Sequence, residues 1–192
     1  MNLTTKERCI AYLEKGWQEK ESLLNQLIGD VSAGAETYML RSALATTYTE
    51  YFDVTTGRSL FSCKAYPITS VTSVANDIDR AWGSTTLLDS GDYAAHLETG
   101  LIEVDQRSLI TGSRVLRIVY IGGMAATTDA FVTAYPDISK AVTIQVVHEF
   151  RRSNSLQGDS ITTAAGSVAF LGGIDWLAHA KSILDTHKRI IL

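Results

Sequence analysis

Little in this 192-residue chain equips it for cross-linking, phosphate binding or membrane insertion. Its two cysteines, Cys9 and Cys63, stand far apart and outside any CxxC spacing, which argues against a disulfide framework or a zinc site. Basic residues do not exceed acidic ones: 17 Lys and Arg against 21 Asp and Glu leave a formal net charge of −4. That balance argues against a partner held through phosphate contacts, which needs a basic patch. No apolar run reaches the roughly 18 residues of a membrane span, and no signal-peptide pattern opens the chain. The expectation is a soluble protein, intracellular when made, with no membrane partner. A chain this long buries roughly 70% of its unfolded surface, so it needs neither disulfide nor metal to fold.

Motifs for chemistry are missing too. There is no GxGxxG, no GxxxxGK[ST] and no GxSxG elbow. His148-Glu149 begins like a zinc-protease motif, but Arg152 stands where the second histidine belongs, so His148 reads as a core or interface residue. Asp77-Ile78-Asp79 begins like a calcium loop until Ala81 and Trp82 occupy the next ligand and turn-glycine positions. Asp175 and His179 are four apart, and a helix cap plus a surface histidine explains them better than a shared metal. His187 reads as a packed histidine. The sequence therefore predicts no catalytic residue, no cofactor, no metal and no enzyme activity.

Structural signals are plentiful by contrast. The run from Pro136 to Arg152 predicts a central helix. Proline suits a first helical position, Asp137 complements the N-terminal end of the dipole, and Arg151 and Arg152 the C-terminal end. Ile138, Ala141, Val142, Ile144, Val146, Val147 and Phe150 cover most of its circumference, the mark of a helix buried by several neighbours. Near the start, Thr4 and Glu7 have capping-box spacing for a short helix with Cys9, Ile10, Tyr12 and Leu13 inward and Gly16 closing it. From 22 to about 43 a longer helix is predicted, with Leu24, Leu27, Ile28, Val31, Ala35, Tyr38 and Met39 on one face. Gly29, Ser32 and Ala33 lie off that face and would let another backbone approach, within the chain or from a neighbouring subunit.

At Thr46 the period changes to that of strands. Strands are predicted at 46–52, 59–64, 68–75, 93–96, 101–104 and 115–121, the last with Arg117 as its only charge and Gly122-Gly123 as its end. Residues 76–92 read as an exposed polar loop, and the small residues before Pro136 as another loop. After the central helix, 153–173 reads as a long Ser/Thr/Gly/Ala arm. Asp175 is expected to cap a last helix with Trp176, Ala180, Ile183, Leu184, His187 and Ile191 on one face, and Lys188 and Arg189 at its end. The aliphatic run Ile190-Ile191-Leu192 asks for a cover. The expected fold is α+β: a small helical bundle of long N-terminal, central and C-terminal helices, with a mainly antiparallel sheet inserted between them. Residues 1–152 are expected to form the helix–sheet–helix core and 153–192 an arm and terminal helix.

The order of elements and several strings resemble the head–tail connector family of tailed phages, the adaptor or head-completion proteins that form a ring beneath the portal. The strings are Leu23-Leu24-Asn25-Gln26-Leu27-Ile28, Ala45-Thr46-Thr47-Tyr48-Thr49-Glu50, Tyr66-Pro67-Ile68-Thr69-Ser70-Val71, Val119-Tyr120-Ile121-Gly122-Gly123 and Tyr135-Pro136-Asp137-Ile138. The resemblance implies a non-enzymatic ring of about twelve copies, resident in the virion neck after assembly in host cytoplasm. Its implied partners are the portal protein, a tail-side neck or terminator protein, and itself, with double-stranded DNA passing through unbound. A tail-side neck or terminator ring is the alternative role, and a small-ligand-binding enzyme a further one. Trp176, Ile190, Ile191 and Leu192 are then candidates for packing against portal or neighbour, unless the last helix folds back on its own bundle. Gly29, Ser32 and Ala33 are the subunit-interface candidates, and 76–92 the candidate lumen-facing loop.

Overall fold

In a computed structural model, which describes residues 1–13, 17–158 and 175–189, the chain divides into two compact units. One comprises Met1–Leu40 and Thr127–Leu192, the other Arg41–Ala126.

The first unit is helical. Its short first helix, α1 (Lys6–Ile10), starts one residue later than the capping box predicts: Thr5, not Thr4, accepts from Arg8 N. Thr4 is instead buried, its hydroxyl 2.6 Å from that of Thr143, whose own proton goes to Ser139 O. Tyr12, expected inward, is half exposed, and Gly16 lies outside the described residues. The long helix α2 (Glu21–Met39) runs unbroken through Gly29 and Gly34, as its periodicity requires, because burial of Leu24, Ile28, Val31, Ala35 and Met39 outweighs two glycine penalties of roughly 1 kcal/mol each. It stops at Leu40, whose left-handed φ of 55° sends its N–H back to Glu36 and Thr37. That cap lies several residues short of the predicted end.

Residues expected as a small-residue loop contain a helix, α3 (Thr128–Ala134), capped by the Thr127 hydroxyl and anchored by fully buried Phe131. With a single apolar anchor it has no periodicity to read. The central helix, α4 (Pro136–Gly158), packs against all the other helices of this unit. Ile138, Ala141, Val142, Val146, Val147 and Phe150 are buried along it. It runs past Arg152, so the two arginines sit in its body and not at its C-terminal end. The last helix, α5 (Ala178–Thr186), buries Ala180 and Leu184. Asp175 does not cap it; Leu177 holds the cap position and supplies no side-chain bond.

The second unit is a β-sandwich of two three-stranded antiparallel sheets rather than one sheet. The strands are β1 (Thr46–Val54), β2 (Leu60–Ser62), β3 (Ile68–Asn76), β4 (Tyr93–His96), β5 (Leu101–Val104) and β6 (Gly112–Gly122). One sheet has the order β1-β6-β3 and the other β2-β5-β4. Register is fixed by which face is buried: Tyr48 lies opposite Tyr120, Phe52 opposite Leu116, and Val74 opposite Ile118. These meet Phe61, Ile102 and Val104 of the second sheet in a shared core. Fully buried Tyr120 donates to Glu50 and accepts from Ala65 N at 3.0 Å, and burial followed by the Glu50 bond pushes its phenol pKa up. The glycine pair closing β6 is required by crowding. A Cβ on Gly122 would stand 2.3 Å from Ala65 O, and one on Gly123, at φ 138°, 2.3 Å from Leu44 O.

Candidate assembly surfaces

Among the described residues, no group of three His, Cys, Asp or Glu residues is placed to hold a metal ion. His148 is exposed beside Glu149, not in the core, and Asp175 and His179 are both exposed. Cys9 is buried and burial pushes its thiol up to about 11, leaving it protonated at neutral pH. No described helix is long and apolar enough to cross a membrane.

The small-residue set on α2 splits. A Cβ on Gly29 would meet nothing within 4 Å, and Ala33 is exposed. Ser32 does not share their aspect: it is fully buried and its hydroxyl accepts from Leu3 N at 3.0 Å. The buried positions 28, 32, 35 and 39 follow helical spacing, so Ser32 belongs to the inward stripe and is spent on the chain's own N-terminus.

The C-terminal helix is held on its own bundle by polar clasps at both ends. At its start the fully buried Gln145 of α4 donates from Nε2 to Asp175 O at 2.9 Å and accepts at Oε1 from Leu177 N at 2.9 Å. One amide thus does the capping that Asp175 was expected to do. Near its end, Tyr38 of α2 donates to Asp185, lies 6.1 Å from the Trp176 ring, and carries the Lys188 ammonium 4.8 Å from its ring centroid. Arg189 N donates to Met39 O at 2.8 Å, and His187 pairs with Asp137 at 2.6 Å. Trp176 is therefore half-buried against Tyr38. Ile190, Ile191, Leu192 and most of the predicted arm, 159–173, lie outside the described residues.

In the sandwich unit, the 76–92 loop is not uniformly exposed. Asn76 and Asp77 are buried. Burial pushes the Asp77 carboxyl up, but the backbone N–H groups of Trp82, Asp79, Ala81 and Arg80 outweigh it and hold the group below its ordinary range. The loop is thereby wound around one carboxylate, with Asp79 N at 2.9 Å and Trp82 N at 2.7 Å. It sets Trp82 5.4 Å from the Tyr51 ring, with the Arg117 guanidinium 5.1 Å from Trp82 and that of Arg114 5.1 Å from Tyr51. Arg80 reaches across to Ser113 O at 2.8 Å. This cationic–aromatic platform draws on residues from three stretches of sequence, and no spacing in the sequence announces it. On the second sheet a shallow groove of about 590 Å³ is lined by Ser59, Asp92, Tyr93, Glu103, Asp105 and Arg107 among others.

No family model and no curated protein sequence matches this chain. Solved structures do match in fold. A chain in the neck of a native GTA particle computed with C12 symmetry aligns with a TM-score of 0.55 at 14% identity, over 92% of this chain and 89% of that one. A chain in the neck of an empty GTA particle, computed with C6 symmetry, aligns with a TM-score of 0.55 at 14% identity over 88% of this chain and 80% of that one. A chain in the virion of a native gene transfer agent particle gives 0.53 at 11% identity, over 88% and 79%. The α+β architecture of this chain is thus the fold of proteins found in the necks and virion of gene transfer agent particles.

Proposed function

We propose that this chain is a structural neck protein, a ring-forming adaptor that joins portal to tail and continues the DNA channel. The observation that carries the reading is the end-to-end likeness to a chain in a neck computed with C12 symmetry. The likeness spans both the helical and the sandwich unit, so it is not the recurrence of one common motif. Net charge of −4 agrees with a conduit wall that lets a polyanion pass. The portal on one side, a tail-side neck or terminator protein on the other, and further copies of the chain laterally are its partners. Gly29 with exposed Ala33, and half-buried Trp176 with Ile190, Ile191 and Leu192, are the proposed contact positions for subunit and portal.

The test is the mass and shape of the purified protein, alone and mixed with portal, by light scattering and negative-stain microscopy. A ring of copies, free or gathered on the portal, is expected. A monomer that ignores portal but binds tail tube protein would assign the tail-side role instead.

A further inference from the structure

The sandwich unit carries two patches of opposite character, one on each sheet. The platform lies on the outer face of the β1-β6-β3 sheet, where Tyr51 points to solvent while its neighbour Phe52 turns inward to meet Phe61. The groove is lined from the β2-β5-β4 sheet, where Glu103 is exposed between buried Ile102 and Val104. The two patches are thus built on different sheets of the unit.

The platform arginines are engaged by a carbonyl and by rings, not by carboxylates. Among the described residues, no carboxylate stands within ion-pair distance of Arg80, Arg114 or Arg117. Asp53, at its rim, is occupied by the Ser113 hydroxyl at 2.9 Å and Arg114 N at 2.7 Å. Arg117 Nε is buried with no hydrogen-bond partner. Three of the four described non-glycine residues with left-handed φ fall here: Arg80 at 58°, Trp82 at 54° and Arg114 at 53°. Such conformations cost on the order of 1–3 kcal/mol each and persist where surrounding structure imposes them, commonly at binding sites. The groove offers the complement: Asp92, Glu103 and Asp105 outnumber Arg107, with Glu103 3.9 Å from His96 and Asp105 accepting from Arg107 N at 3.0 Å.

We propose that the Arg80–Trp82–Arg114–Arg117 platform of one copy receives the Asp92–Glu103–Asp105 flank of the next. Two distinct, complementary patches on one copy make a head-to-tail contact, which closes into a ring when the rotation between copies divides a full turn. This inference rests on the ring reading above and names its lateral contact.

The experiment uses the full chain in three forms: Arg80→Glu with Arg114→Glu, Asp92→Lys with Glu103→Lys, and all four changes together. Self-association is read by sedimentation at low and high salt, alone and on portal. Each two-site reversal places like charges together and weakens association by about tenfold or more. The four-site variant restores it, and so does mixing the two reversed proteins, since every contact in the mixture is again of opposite sign. Restoration by mixing also shows that neither reversed protein is merely misfolded. Rings that form equally well in the reversed proteins overturn this contact while leaving the ring reading intact. A wild-type chain that gathers no copies, alone or on portal, overturns the ring reading and with it this contact. Unchanged rings together with lost retention of duplex DNA by the Arg80→Glu, Arg114→Glu protein would give the platform to DNA and refute the contact.

Discussion

Replacing Gln145 by leucine isolates how the last helix is held. Gln145 is fully buried, and its amide bonds Asp175 O, Leu177 N and, at 3.0 Å, Glu149 Oε1. Leucine has similar bulk, so the change empties no cavity but leaves two backbone groups of the α5 entry without partners. Both backbone groups are only part-buried, so at about 1 kcal/mol net per bond the expected loss is about 2 kcal/mol. The apolar hold on α5 is of the same size. Fully buried Leu184 contributes about 1.5–3 kcal/mol and the Ala180 methyl about 0.8 kcal/mol. Removing the clasp should therefore release α5 locally before the bundle unfolds. Amide exchange checks this: protection at Lys181, whose N–H bonds Leu177 O at 2.9 Å, should fall about 30-fold or more, while the middle of α4 keeps its protection. Equal protection at Lys181 in both proteins would refute the clasp. So would equal loss at α4 and α5, which would mean that α5 is not a separable element.

Three further outcomes are expected. Tyr120→Phe strips the donor from Glu50 and the acceptor from Ala65 N inside the sandwich, and should cost about 1–3 kcal/mol in urea denaturation with the fold retained; a neutral change would mean that water replaces the hydroxyl. Gly29→Ala places a methyl in open space and should stabilise the isolated chain by about 0.5–1 kcal/mol through helix propensity, read as a rise in Tm. On the subunit-contact reading it also hinders assembly, and rings unchanged by it would remove Gly29 from the interface. Burial pushes the Asp137 carboxyl up, but the hydrogen bond from His187 and the Ile138 N–H outweigh it and hold the group below its ordinary range. A depressed folded value contributes stability that is present above the unfolded value of about 3.9 and lost as pH falls through the folded one. Asp137→Asn should therefore flatten the acid limb of stability below about pH 4, and superimposable curves for the two proteins would show that the pair contributes nothing there.

How much of this was legible in the sequence depended on whether a segment announces itself by repetition. α2 and α4 repeat their apolar residues over several turns, and both were readable despite two glycines in α2. β4 and β5, though only four residues long, sit between clear turn residues and match their predicted bounds. Errors gathered where a single residue decides. Phe131 alone anchors α3, which left the helix without a pattern. Whether Thr4 or Thr5 caps α1 turns on which hydroxyl the bundle claims, and Thr143 claims that of Thr4. Asp175 has cap chemistry, yet a glutamine 30 residues earlier does the work, a substitution visible only in three dimensions. The division into two sheets was likewise hidden, because strand signals do not say which partner each strand takes.

The surfaces follow the same logic with one difference in kind. Small residues on a helix are visible in sequence, and so Gly29, Ser32 and Ala33 were candidates, but the aspect of each depends on what the N-terminus does, and Leu3 N takes Ser32 inward. The platform depends on more. Tyr51, Trp82, Arg114 and Arg117 come together only because β1 and β6 pair in register, placing Tyr51 opposite Arg117, and because Asp77 winds the loop that carries Trp82. A contact made of such exposed charges is screened beyond about 8 Å at physiological salt and is weak between free copies. Held side by side on a template, the same contact acts at an effective concentration of about millimolar and closes. On the ring reading, charged flanks thus favour closure on the portal over closure in solution, a bias that a continuous apolar interface would not give.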